Sequence, residues 1–226
     1  MNIQKILEKA AEERASKEKK RTYLGCSEIG RCARELWLKY NGHFTPKFSG
    51  KSFRIMKDGN DRENEFIEEL ICSGIFVDQR QREFSWFDGK LKGHWDGRIS
   101  IYSKKMAFEF KAMKQNRFRD VSKNGLLNFE NGVYYAQNIL YMHGSGEKEC
   151  LFVAEHKDTG NIYEEIIPYN QYEAEKYLDK AKLIIYSDHP PKGISQSPDW
   201  YVCRMCGANT NELCRKVWPG EKTYDF

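Results

Sequence analysis

The stretch from Gly93 to Lys111 constrains this chain more than any other: Gly93-His94-Trp95-Asp96-Gly97, then an apolar and polar alternation that ends in Glu109-Phe110-Lys111. Ile99 and Ile101 alternate with polar partners between Arg98 and Tyr102, and Met106, Phe108 and Phe110 alternate with Ala107, Glu109 and Lys111. A period of two over runs of this length is the pattern of half-buried strands. Ser103-Lys104 supplies a tight turn between them, and a loop with an even number of residues pairs even positions with odd ones across the hairpin. Asp96, Glu109 and Lys111 then share one face. Side chains two apart on a strand lie about 6.6 Å apart and directly opposed ones about 5 Å, so the three head groups can converge on one point.

Two carboxylates and a lysine at one point suit metal-assisted hydrolysis of a phosphodiester. The carboxylates hold a magnesium-like ion that keeps several waters, and the phosphate completes its shell. Lys111 can orient or deprotonate the water, or neutralise charge growing on the phosphate, and both roles stay open. A Glu-x-Lys triplet is weak alone, since Glu18-Lys19-Lys20 repeats it in a charged helical stretch. The Glu109-Phe110-Lys111 triplet gains its meaning from the strand it occupies and from the aspartate set among glycines upstream of it.

At 226 residues and 40% apolar the chain can bury one good core. It has neither the apolar start of a secretory signal nor any run near the ~18 apolar residues of a membrane span, which predicts a soluble, cytoplasmic protein. A net charge of +4 says little about nucleic acid. Residues 1–21 form a charged arm, read as a solvated or frayed helix, with a DNA-touching basic arm as the alternative. A single domain follows over 22–226, its tail beginning near 195. Predicted helices run from a Ser27 cap through Tyr40, from Phe53 to Cys72, from Gly132 to His143 and from Gln171 to Ser187. Predicted strands cover Ile75–Gln79, Glu83–Phe87, the organising pair, Glu149–His156 and Tyr163–Pro168. Lys114 to Arg119 reads as a basic loop. Mixed strands flanked by helices argue an α/β core.

Seven cysteines without an export signal argue against a disulfide framework. Cys203, Cys206 and Cys214 place three thiols within twelve residues of loop sequence, where soft metals are held. No histidine follows His189, so a fourth ligand comes from far away, with Cys32 and Cys26 as donors. Cys72 and Cys150 lie among apolar residues and read as buried thiols.

Asp96, Glu109-x-Lys111, Gln137-x-x-x-Tyr141, an upstream Cys32-x-Arg34 and a C-terminal Cys203-x-x-Cys206 with Cys214 together resemble the RecB-like branch of the PD-(D/E)XK nucleases. The likeness is to the CRISPR-associated RecB-like exonucleases and their phage-encoded cousins, and it spans Cys26 to Cys214. It implies a restriction-endonuclease-like core, a central mixed sheet flanked by helices, with an N-terminal helical region joined to the cysteine tail. By the resemblance, Asp96, Glu109 and the Phe110 carbonyl hold Mg2+ or Mn2+, and Lys111 is the catalytic lysine. Gln137 and Tyr141 support the site and touch the DNA strand, and Cys32, Cys203, Cys206 and Cys214 hold a four-iron four-sulfur cluster. Zinc is the alternative, because four thiolates suit it equally. Where many relatives carry a histidine, this chain has Gly59-Asn60-Asp61-Arg62-Glu63, which makes Glu63 a further ligand or a solvated carboxylate. His94 reads as supporting or DNA-facing.

The expected activity is a DNA exonuclease acting on single-stranded or frayed ends, in recombination, phage DNA metabolism or spacer acquisition, alone or within a larger complex. Tyr134, Gln137 and Tyr141 fall on one helix face, and with Lys114, Arg117 and Arg119 they predict a strand-binding surface. The competing expectation is a non-catalytic cysteine-metal DNA-binding or adaptor protein on the same fold.

Overall fold

The computed structural model describes residues 2–18, 21–195, 197–210 and 212–216. The rest of the tail expected from about 195 to 226 lies outside the described residues. In chain order the elements are α1 (Ile3–Lys17), β1 (Leu24–Gly25), α2 (Ala33–Tyr40), α3 (Gly50–Cys72), β2 (Phe76–Asp78), β3 (Glu83–Trp86), β4 (Leu91–His94), β5 (Gly97–Ile101), β6 (Lys104–Met113), α4 (Gln115–Asn128), α5 (Val133–Ser145), β7 (Glu149–His156), β8 (Ile162–Pro168), α6 (Gln171–Tyr186), and the short α7 (Tyr201–Arg204), α8 (Gly207–Thr210) and α9 (Leu213–Lys216).

The hairpin at the centre turns at Tyr102-Ser103, one residue earlier than the sequence suggested, with Ile101 opposite Lys104. Both turn residues have positive φ, 48° and 68°, as a two-residue hairpin that follows strand twist requires. The loop is still two residues long, so the parity holds and Gly97 pairs with Phe108. Around it a five-stranded mixed sheet runs β2-β5-β6-β7-β8, with only β6 and β7 parallel. A second sheet, β1-β4-β3, stands beside it and contains two strands, β1 and β4, that the sequence did not announce because each is short.

The alternation on β6 sorts the two faces. Met106, Phe108 and Phe110 join Phe66 and Ile67 of α3 in one core layer with Ile99, Leu151 and Val153. Ala107 lies in the larger layer, beneath α2, α5 and α6, with Trp95, Ile139, Tyr141, Phe152 and Ile184. Phe110 stacks on Phe66 with ring centroids 4.5 Å apart. The chain is therefore the α/β sandwich that its pattern predicts, a mixed sheet flanked by helices. Among the described residues no helix is long and apolar enough to cross a membrane.

Three local expectations are corrected. The helix capped at Ser27 is instead a 3-10 turn, Cys26–Glu28, followed by a break, and Cys32 takes the N-cap position of α2. The break arises because Gly30 presses on α5, where an added Cβ would meet the Val133 Cα at 2.5 Å. Lys114 to Arg119 is no loop: Lys114 precedes α4, whose Val121 and Leu126 are buried. Its charge density hid an apolar stripe. Cys72 is exposed in the last turn of α3, whereas Cys150 is buried. The charged arm is the solvated helix expected, with Ala11 alone buried in α1, and it is docked at one point. Gly50 lets the α1 backbone approach so closely that a Cβ would overlap the Glu8 carbonyl, and Glu12 accepts the Gly50 N–H at 2.7 Å.

Candidate active site

Asp96 sits in the turn that joins the two sheets, and glycines on either side fix that turn. Gly93 packs where a Cβ would come within 2.7 Å of both the Cys26 Cβ and the Tyr141 ring, and Gly97 where it would meet the Val77 side chain at 2.9 Å. Trp95 is fully buried between them, its indole N–H donating to the Gln79 carbonyl at 2.7 Å. Asp96 Oδ2 accepts the Phe110 N–H at 2.8 Å, which holds the carboxylate against β6 where the ladder ends.

The face of β6 that carries Glu109 and Lys111 looks toward α5. Glu109 is 0% exposed. Gln137 Nε2 donates to Glu109 Oε1 at 2.7 Å and lies 3.3 Å from the Tyr141 hydroxyl. The Lys111 ammonium is 2.5 Å from Glu109 Oε1, 2.8 Å from the Phe110 carbonyl oxygen and 3.7 Å from Asp96 Oδ2. It thus stands as a cation among the three oxygen donors that the resemblance assigns to a metal. Glu109 Oε2 has no hydrogen-bond partner.

The electrostatics describe a centre short of positive charge. Burial, then the charge of Asp96, pushes the Glu109 carboxyl up to about 8. Burial also raises Asp96 against the pull of Lys111. Glu63 reaches the same field from α3: burial, then Asp96, lifts it to about 7. Burial draws Lys111 down, but Asp96 and Glu109 together outweigh it, and the amine is held as ammonium above its ordinary range. As the side chains stand, no group of three His, Cys, Asp or Glu residues among the described residues is arranged to hold an ion. The donor set nevertheless fits one. Three carboxylates face one lysine, one buried carboxylate oxygen is orphaned, and oxygen donors are what magnesium or manganese takes.

Sequence reasoning missed Arg80 and Gln81. Gln81 Nε2 donates to Glu63 Oε1 at 3.0 Å, and the charge of Arg80 lowers both Glu63 and Asp96. Their segment has no periodicity to flag it, and the positive φ of Gln79 and Gln81 is visible only in three dimensions.

The expected strand-binding face divides. Gln137 is buried and Tyr141 is 3% exposed, its ring against Phe84 and Gly93, so neither can stack on a base. Tyr134 alone stays half-buried, its ring 5.8 Å from the Lys111 ammonium and its hydroxyl accepting from Arg117 at 2.7 Å. Arg117 is also paired with Glu130 at 2.8 Å. Lys114 and Arg119 are exposed at the start of α4. His94 points away, 3.4 Å from Glu83.

The cysteines gather elsewhere. Cys32 Sγ accepts the Ile194 N–H at 3.4 Å, and Arg34 donates both to the Pro191 carbonyl at 2.9 Å and to Cys214 Sγ at 3.9 Å. Arg34 of the Cys-x-Arg pair therefore fastens the tail to α2. Burial first, then the charges of Cys32 and Cys214, raises the Cys203 thiol; burial and Glu35 push Cys206 up to about 11. Cys26 is remote from this group, buried against Gly93 and Tyr141 in the core.

No family model matches the sequence, and no curated protein does either. Solved structures do. The crystal structure of SSO0001 is similar over 97% of this chain and 99% of that one, with a TM-score of 0.55 and 17% identity. A phage-related exonuclease from Haemophilus somnus 129PT matches 72% of this chain and 91% of its own at a TM-score of 0.54 and 13% identity. The chain shares the fold of these structures. The alkaline exonuclease LHK-Exo from Laribacter hongkongensis, in complex with dAMP, matches 73% of this chain and 86% of its own at a TM-score of 0.52 and 13% identity.

Proposed function

We propose that this chain is a metal-dependent DNA exonuclease with Asp96, Glu109 and Lys111 at its centre. The observation that carries the reading is the Lys111 ammonium held among Asp96, Glu109 and the Phe110 carbonyl, with an orphaned carboxylate oxygen beside it. The exonuclease structures of like fold, one of them with a bound nucleotide, support it. Asp96, Glu109 and the Phe110 carbonyl would hold Mg2+ or Mn2+, with Glu63 at the margin. When bound, the ion supplies Lewis acidity at the phosphate and a more acidic water. The chain's own part is positioning. Phe110 N–H aims Asp96, and Gln137 aims Glu109. Tyr141 backs Gln137, so both act as positioning residues. Lys111 keeps a positive charge where charge grows on the phosphate. The purified protein is expected to degrade linear DNA with magnesium or manganese, to stop with chelator and to spare covalently closed duplex circles. Metal-independent degradation, or none with either ion, would refute the assignment.

The cysteine group supports a second part of the reading, a structural cluster on Cys32, Cys203, Cys206 and Cys214. The donor set is four thiols from the two ends of the chain, of a kind that suits iron with sulfide or zinc. Anaerobically prepared protein is expected to be brown, with iron and acid-labile sulfide in equal amounts. One equivalent of zinc without sulfide would replace the cluster by a zinc site, and no bound metal would remove both. Cys206→Ser is expected to lower the melting temperature before it affects catalysis.

A further inference from the structure

A groove of about 1020 Å³ lies between α1, α2, α3 and the loop at 44–48. We propose that it is the track of a single DNA strand on its way to Asp96 and Glu109. Along α3 the groove is lined by Phe53, Met56, Lys57 and Asn60, and the same three-or-four-residue spacing continues to Glu63 at the metal centre. Ten residues of helix from Phe53 to Glu63 span about 15 Å, the length of roughly four stacked nucleotides at 3.4 Å each.

The lining has what a single strand needs. Five cations, Arg14, Arg21, Lys39, Arg54 and Lys57, face two carboxylates, Glu18 and Glu28. Glu28 is already held by Lys39 at 2.5 Å and Arg21 at 3.7 Å, and Lys57 by Asp61. Arg14 and Arg54 make no ion pair with any described residue, so their charges are available to phosphates. Between the cations lie apolar surfaces: Phe48 is 55% exposed with its ring 6.0 Å from that of Phe53, and Met56 is 44% exposed. An exposed ring beside unpaired cations binds a base by its face and the backbone by its charge, without reading sequence. The docking of α1 on Gly50 makes the far wall, which gives the solvated helix a purpose. The occupant is identified as the substrate strand on the nucleolytic reading above; the groove's affinity does not depend on it.

The test uses the full chain in chelator with a fluorescein-labelled twelve-residue oligothymidylate, read by anisotropy against salt. The double variant R14A/R54A removes two phosphate contacts, so the salt slope is expected to fall by about 1.4, which is roughly 25-fold weaker binding at 0.1 M salt. In a separate assay with magnesium in place of chelator, hydrolysis of a chromogenic mononucleotide phosphodiester, too short to enter the groove, is expected to be unchanged. If magnesium supports cleavage of neither this diester nor the oligothymidylate by the unaltered protein, the nuclease reading fails while the binding result still stands. Photocrosslinks from an iododeoxyuridine oligonucleotide to the unaltered protein are expected on residues 44–60. Unchanged affinity and slope in R14A/R54A, crosslinks confined to residues 114–134, or a dimer that the double variant breaks would each overturn the proposal.

Discussion

Asp96→Asn and Glu109→Gln are each expected to reduce DNA hydrolysis by about a thousandfold or more while leaving fold and DNA binding intact. Removing a metal-holding carboxylate forfeits several kcal/mol of transition-state stabilisation, and ~4 kcal/mol corresponds to about 10³ in rate. The amide variants are the informative ones. Asn keeps an oxygen for the Phe110 N–H, and Gln keeps one for Gln137, whereas alanine would bury an unpaired donor at a cost of about 1–3 kcal/mol. Lys111→Met keeps the stem and removes the charge, and the expected loss is nearly as large. A thermal melt separates these from general damage. Magnesium is expected to raise the wild-type melting temperature, by about 2.7 kcal/mol of stabilisation at a hundred times its dissociation constant, and to do little for Asp96→Asn. Activity of Asp96→Asn within tenfold of wild type would remove Asp96 from the site.

Gly93→Val is expected to be the most damaging change outside Asp96, Glu109 and Lys111. Its side chain would have to enter space held by Cys26 and by the Tyr141 ring, both fixed in the core. Overpacking of this kind costs about 1–3 kcal/mol and sometimes more, and at this chain length each kcal/mol shifts the melting temperature by roughly 2–4 °C. Activity is expected to fall further than stability, because a displaced Tyr141 disturbs Gln137 and through it the aim of Glu109. Gly59→Ala, in open space on α3, is the matched control and is expected to stabilise by up to about 1 kcal/mol. Wild-type melting and activity in Gly93→Val would show that the Tyr141 contact does not position the site.

Much of the centre was legible in the sequence because it depends on one hairpin. A period of two gives each side chain its face, and a two-residue loop gives the cross-strand parity, so Asp96 and Glu109 are brought together by local rules even when the turn is placed one residue off. The fold class followed for the same reason, since apolar periodicity marks each long element and short connections leave few arrangements. Tertiary structure alone decided what covers each face. Nothing local distinguishes Gln137 and Tyr141, which are buried under the site, from Tyr134 on the same helix, which reaches the surface. Tertiary structure likewise encloses Cys26 between Gly93 and Tyr141 and brings the tail to Cys32, across more than 150 residues. In α1 and α4 the charges that suggested an arm and a loop lie on the solvent side of helices. The other side is seated by Gly50 in one case and by Val121 and Leu126 in the other. Periodicity says which residues want cover; only the packing of distant segments says what provides it.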